Sequence, residues 1–220
     1  MIRIIGIIHV LDLTVKINSL IDYYSPSSIA IELDYKRLEA LENKEEKREF
    51  SLIGLLSGMQ KKIASNYHVI PGSELLAAYK KGKMNGLPVF LIDENIDKIY
   101  EDLKKIPFRE KFRLILSAIL SSFSKKTSLE EMIENEEIYM KRFEKYFPKL
   151  YDLLITRRNR IMAEKIREIE KNYGSVMVFT GDAHVEGLKK LLPDAETIRL
   201  KELLKMQLPN NSFNFSIKIS

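Results

Sequence analysis

A chain of 220 residues can bury a substantial core as one domain of ordinary to large size, and the absence of cysteine excludes a disulfide framework, a thiolate metal site and a cysteine nucleophile. The net charge of +5 comes from basic residues interspersed with acidic ones, as in Lys44-Glu45-Glu46-Lys47; it reads as a solvated basic surface without a nucleic-acid module, so nucleic acid is not an expected partner. No apolar run approaches the length of a membrane span, and the first residues form a strand pattern instead of a basic segment before an apolar secretory core, so a cytoplasmic location is expected.

In chain order, Ile2 to Val10 is rich in β-branched residues and predicts a first strand carrying Gly6-Ile7-Ile8-His9. Leu13, Ile17, Leu20, Ile21 and Tyr24 recur at helical spacing, and Pro26 ends that helix. Ser28 to Leu33 predicts a second strand, with Glu32 near its end and Asp34 just beyond. An ionisable residue in so apolar a strand needs a partner. Glu32 either caps the next helix or pairs with an arginine, or it serves at the rim of the sheet as a metal ligand or base, and the segment alone balances these readings evenly. Tyr35 to Asn43 and Lys44 to Ser65 are expected to be helical, the latter broken near Gly54 and Gly58, and His68 in the following loop has no assigned role. Pro71-Gly72-Ser73-Glu74 reads as a turn into a helix over Leu75 to Asn85 that stops at Gly86. Glu74 falls in its first turn, where the helix dipole favours a carboxylate in any case. Pro88 to Asp93 predicts a third strand, again ending in an acid, and Ile96 to Lys105 a helix.

Between Pro107 and Tyr173 no strand pattern occurs; three helices are expected, over Phe108 to Phe123, Leu129 to Phe147 and Pro148 to Asn172, the second opened by the capping-box spacing of Ser128 and Glu131. The run Leu114 to Phe123 is apolar on more than one face and suits a buried helix, a lid or the surface of a homodimer. Thr156 to Arg160 gathers arginines and an asparagine; on a helix surface these make ion pairs of small worth, whereas an arginine at a carboxylate-rich rim binds an oxyanion or holds a ligating carboxylate. Val176 to Thr180 predicts a fourth strand, Val185 to Leu192 a helix, Glu196 to Leu200 a short strand and Lys201 to Met206 a helix. The tail Phe213 to Ile219 alternates apolar and polar residues and predicts an edge strand, antiparallel or exchanged between subunits. The whole predicts an α/β fold: a central, mainly parallel sheet flanked by helices, with a helical insertion over about 108–172, all in one domain spanning 1–220.

Two of the three histidines stand at matched places, three residues after a glycine that closes an apolar strand: Gly6 with His9, and Gly181 with His184. Open α/β sheets place ligands beyond the carboxyl ends of their strands, so both histidines are expected at one rim. A lone glycine-x-x-histidine is more simply a tight turn with a satisfied histidine; the pair shifts the balance toward a site.

The ordered elements Gly6-Ile7-Ile8-His9-Val10, Ile31-Glu32-Leu33-Asp34 with Arg37-Leu38, Pro71 to Glu74, Leu91-Ile92-Asp93, Arg158-Asn159 with Met162-Ala163, and Gly181-Asp182-Ala183-His184-Val185-Glu186-Gly187 resemble the TraB/PrgY family. Its relatives include the TIKI metalloproteases and, more distantly, the ChaN and erythromycin-esterase-like proteins. The resemblance implies a pocket in which His9, Glu32 and His184 hold a divalent metal such as manganese, cobalt or zinc, and in which a peptide or small amide is hydrolysed. It further implies that Arg158 and Asn159 form the family's Arg-Asn pair, and that Glu74 and Asp93 line the same cleft; one of these two is expected to serve as base. The family often has an arginine after the third-strand Asp and a glutamate before the Arg-Asn pair; here Glu94 and Arg157 stand there, which looks like a reversed ion pair. Many members carry membrane-spanning helices, and no run here is long enough to be one. Two alternatives are a protein that sequesters a peptide signal without turning it over, and a metal-free esterase-like hydrolase with a histidine as general base.

Overall fold

The computed structural model describes residues 1–8, 11–43, 72–114 and 129–207. The expected helix over 44–65, His9, His68, Pro71, Ser128 of the capping box and the tail strand over 213–219 lie outside these residues. Among them, β1 (Ile2–Ile7), α1 (Thr14–Tyr24), β2 (Ser28–Ile31) and α2 (Tyr35–Glu42) are followed by α3 (Ser73–Met84), β3 (Val89–Leu91) and α4 (Ile96–Lys104). The insertion contributes α5 (108–114), α6 (Leu129–Glu134), α7 (Glu136–Tyr146) and α8 (Pro148–Tyr151). A π turn over Asp152–Thr156 joins α8 to α9 (Arg157–Tyr173), and β4 (Val176–Gly181), α10 (Asp182–Leu191), β5 (Glu196–Ile198) and α11 (Leu200–Lys205) complete the order.

The five strands form one all-parallel sheet in the order β3-β2-β4-β1-β5, with β5 at one edge. Strand alternation sorts the core into two layers. Ile5, Ile7, Ile29, Ile31, Met177 and Phe179 face α1, α3 and α11, whereas Ile4, Ala30, Val176 and Val178 face α9 and α10. Both faces are apolar because helices cover both, the condition under which a parallel sheet has no wet side. Register then aligns the strand ends: Ile31 pairs with Phe179, and Ile5 with Phe179 and Ile198. One step further along, Glu32, Thr180 and Gly6 are therefore level.

The boundaries that fall within the described residues agree with the sequence expectations to within a few residues, with two differences inside the insertion; the end of the helix expected over 108–123 and the apolar run 115–123 lie outside them. The helix expected over Leu129 to Phe147 is interrupted at Asn135, which forms a turn between α6 and α7. The helix from Pro148 onward continues through a π turn, in which the Arg157 amide reaches the carbonyl of Asp152, five residues back. The insertion packs through Leu103, Ile106, Leu150 and Leu153, and Glu110 accepts from the amides of Lys149 and Leu150 at 3.2 and 3.0 Å, satisfying donors that the start of α8 leaves open. At the other end of the core, Gly86 follows α3 with a φ of 69°, a left-handed conformation that only glycine adopts without strain.

Candidate functional site

Glu32 stands one residue past β2 on the face covered by α9 and α10, and it is 5% exposed. A carboxylate buried there without partners would be strongly disfavoured, and both of its oxygens have partners. Oε2 accepts from Thr180 Oγ1 at 2.6 Å and from the Gly181 amide at 2.7 Å. Oε1 pairs with Arg158 Nη2 and faces His184 Nε2 at 3.4 Å. Burial alone would raise its pKa, but the charges of His184, Arg158 and Arg37 hold it well below the usual carboxylate range.

Arg158 reaches the rim from the first turn of α9 and spends its donors on protein groups. Nε donates to Asp93 Oδ1 at 2.8 Å, Nη2 to Asp93 Oδ2 at 2.7 Å, and Nη1 to the Leu154 carbonyl at 3.0 Å. That carbonyl belongs to the π turn, whose wider winding loosens the regular hydrogen-bond ladder just before the arginine. Asp93, just past β3, also accepts from Arg37 Nη2 and from the Glu94 amide at 2.8 Å, while Lys165 Nζ donates to its carbonyl at 2.8 Å. Burial opposes its ionisation, yet Arg158 and Arg37 lower its pKa below the ordinary value. Arg37 ties the end of the third strand to that of the second, because besides Asp93 it donates from Nη2 to the Glu32 carbonyl at 2.9 Å and from Nε to Asp34 Oδ2 at 3.0 Å. Asp34 is the residue that caps α2, accepting from the amides of Lys36 and Arg37. Of the structural roles expected for Glu32, the cap falls to Asp34, and Glu32 pairs with an arginine. The exchanged residues Glu94 and Arg157 do form an ion pair, at 2.7 Å, which Asp102 extends.

His184, in the first turn of α10, is 4% exposed. Its Nδ1 stands 2.7 Å from Asn159 Oδ1. With Nδ1 as the donor, Nε2 presents a lone pair toward Glu32 Oε1, and two acceptors face one another unless a proton or a cation lies between them. Asn159 fits behind the histidine because position 187 is glycine: a Cβ there would stand 2.1 Å from Asn159 Nδ2. Glu74 is fully buried at the start of α3. Gly82, near the other end of that helix, packs against Ile29 and Val89 at the beginnings of β2 and β3, so Glu74 lies toward the carboxyl ends of the strands.

The structure therefore brings together Glu32, Asp93, Arg158, Asn159 and His184, and places Glu74 at the same end of the sheet; His9 lies outside the described residues. For a metal, the relevant donors are His184 Nε2 and Glu32 Oε1. Two ligands bound at about 2.1 Å in a tetrahedral shell are roughly 3.4 Å apart, so this pair has suitable spacing, and Asn159 stands behind the imidazole as an orienting partner. Among the described residues no group of three metal-ligating side chains occurs. The pair fits as part of a ligand set whose third expected donor is His9. Sequence reasoning gave no role to Thr180 or Lys165, and none beyond a motif position to Gly187 and Arg37. Each acts through a contact remote in sequence, and only Gly187, a glycine inside a helical pattern, carried a visible signal.

Comparison with known proteins adds two findings. The sequence model of the TraB/PrgY/gumN family matches residues 1–197, a span that includes every candidate site residue. An uncharacterized protein of Methanocaldococcus jannaschii, MJ1365, is 31% identical over an alignment that covers 94% of this chain and 57% of that protein. The chain thus spans little more than half the length of the curated relative it matches.

Proposed function

The chain belongs to the TraB/PrgY/gumN family, and on that premise we propose that the rim of its sheet is a hydrolytic site where His184 and Glu32, together with His9, hold a divalent metal ion and a peptide or small amide is cleaved. The observation that carries this reading is the 3.4 Å approach of His184 Nε2 to Glu32 Oε1, with each group anchored from behind. When bound, the ion would acidify a water molecule and polarise the scissile carbonyl; manganese, cobalt and zinc all suit imidazole with carboxylate.

The chain's own residues prepare that chemistry. Asn159 takes the Nδ1 hydrogen bond of His184 and so aims Nε2 at Glu32. Arg158 helps to keep Glu32 ionised, and Thr180 and the Gly181 amide fix its plane. In this reading Asp93 is a positioning residue, because its oxygens are occupied by Arg158, Arg37 and the Glu94 amide, and Arg158 holds the ligating carboxylate. Glu74 remains the candidate base, at the same end of the sheet.

The same His184–Glu32 approach also supports a metal-free reading, in which the imidazole is the general base and the carboxylate stabilises its protonated form. Peptide cleavage measured with each metal, in the wild type and in His184→Ala, separates the two. Metal-dependent turnover lost on substitution is expected; turnover indifferent to metal would transfer the role to the metal-free pair, and affinity without products would make the protein a sequestering one.

A further inference from the structure

The turn that carries His184 is tied on two sides, and the proposed chemistry uses only one of them. On the side of β2, the Gly181 amide donates to Glu32. On the side of β1 the tie is Asp182, whose carboxylate lies where a side chain of Gly6 would be: a Cβ built on Gly6 would stand 1.9 Å from Asp182 Oδ1 and 3.0 Å from its Cγ. Gly6 does not have a positive φ, so its missing side chain serves this approach rather than the backbone. The carboxylate is then clamped from beyond β5. Oδ1 accepts from the Leu200 amide at 2.8 Å and Arg199 Nε at 3.1 Å, and Oδ2 from Arg199 Nη2 at 2.9 Å. An acid in the first turn of a helix is ordinarily explained by the dipole. That explanation requires neither a glycine on the neighbouring strand nor an arginine and an amide from another helix start.

We infer that Asp182 is a positioning residue for His184: seated over Gly6 and held by Arg199, it fixes the turn after β4 against β1 so that the imidazole meets Glu32. The first glycine of the paired motif then has its own function, since it makes room for a residue of the second motif. The inference rests on the proposed role of His184 and deepens it, and one experiment separates the failure of either. The chain has three histidines, so ring nitrogen signals in an NMR spectrum can be assigned by substituting each. In metal-free protein, Asp182→Ala and Gly6→Ala are both expected to shift the ring signals of His184 and to weaken its Nδ1-protonated signature, and combining them is expected to add less than the effect of Gly6→Ala alone, the remainder coming from Val185 Cγ2, which would stand 3.0 Å from the new Cβ. A merely structural role would lower the unfolding midpoint and leave the tautomer unchanged. Asp182→Asn, which keeps the shape and loses the ion pair to Arg199, is expected to give a smaller shift in the same direction. Wild-type His184 signals in folded Asp182→Ala and Asp182→Asn would overturn the inference. Adding zinc, cobalt and manganese in turn to the wild type tests the metal reading independently: His184 signals indifferent to all three would defeat that reading, while the metal-free spectra still decide the role of Asp182.

Discussion

Glu32 illustrates how a buried charge is made tolerable and useful. Removing a carboxylate and an arginine from water costs more than their attraction returns unless the remaining hydrogen-bonding positions are filled, and here Thr180, Gly181 and Asp93 fill them. Because both Glu32 and Asp93 have folded pKa values below their ordinary ones, the stability they contribute is present above about pH 4.5 and is lost as pH falls toward the folded values. Urea midpoints measured across the acid range should therefore fall below about pH 4.5, and Glu32→Gln should flatten that dependence. A midpoint that rose on acidification would reverse the sign required. Gly187 gives a different test. Gly→Ala inside a helix ordinarily gains about 1 kcal/mol. At position 187 the methyl group meets Asn159 Nδ2, the end of a side chain that can swing away. Stability should change little, while zinc or manganese affinity, read by calorimetry, should fall about 10–100-fold as His184 loses its orienting partner. Whether Glu32 would cap or pair was not legible locally, since its arginine lies 126 residues away.

At the scale of elements, the four strands β1 to β4 were legible because each apolar run meets a glycine or an acid at its carboxyl end, and α3 because Gly72 and Gly86 bracket it. The interruption at Asn135 and the π turn at Asp152–Thr156 were not, because neither breaks the apolar spacing; tertiary packing settles them. The π turn matters to the site, since it directly precedes Arg157, which faces Glu94 and Asp102, and Arg158 and Asn159, which face the rim. Helix α3 lies so close to the sheet that a Cβ on Gly82 would stand 2.6 Å from Val89 Cγ2 and 2.9 Å from Ile29 Cδ1. A β-branched valine cannot withdraw its methyl without changing rotamer. Gly82→Ala, favourable by propensity, should instead destabilise by about 1–3 kcal/mol in denaturant unfolding. A more stable variant would show that the packing is looser than described.

At the scale of the molecule, the order β3-β2-β4-β1-β5 inserts the last long strand between the first two, and this converts two distant motifs into neighbours. Ile7 pairs with Gly181, so the two strand ends that lead to the histidines are adjacent and level. The echo between the motifs made a shared rim legible in the sequence; the seat that Gly6 offers Asp182 was not, because it depends on a register between strands about 170 residues apart. No helix among the described residues is long and apolar enough to cross a membrane. His184 and Glu32 are proposed to share one divalent ion, and an anomalous-scattering map of crystals grown with manganese would locate it. A single peak between His184 Nε2 and Glu32 Oε1, within bonding distance of both, is expected. A map with no peak between them, at manganese concentrations that saturate the protein in solution, would contradict it.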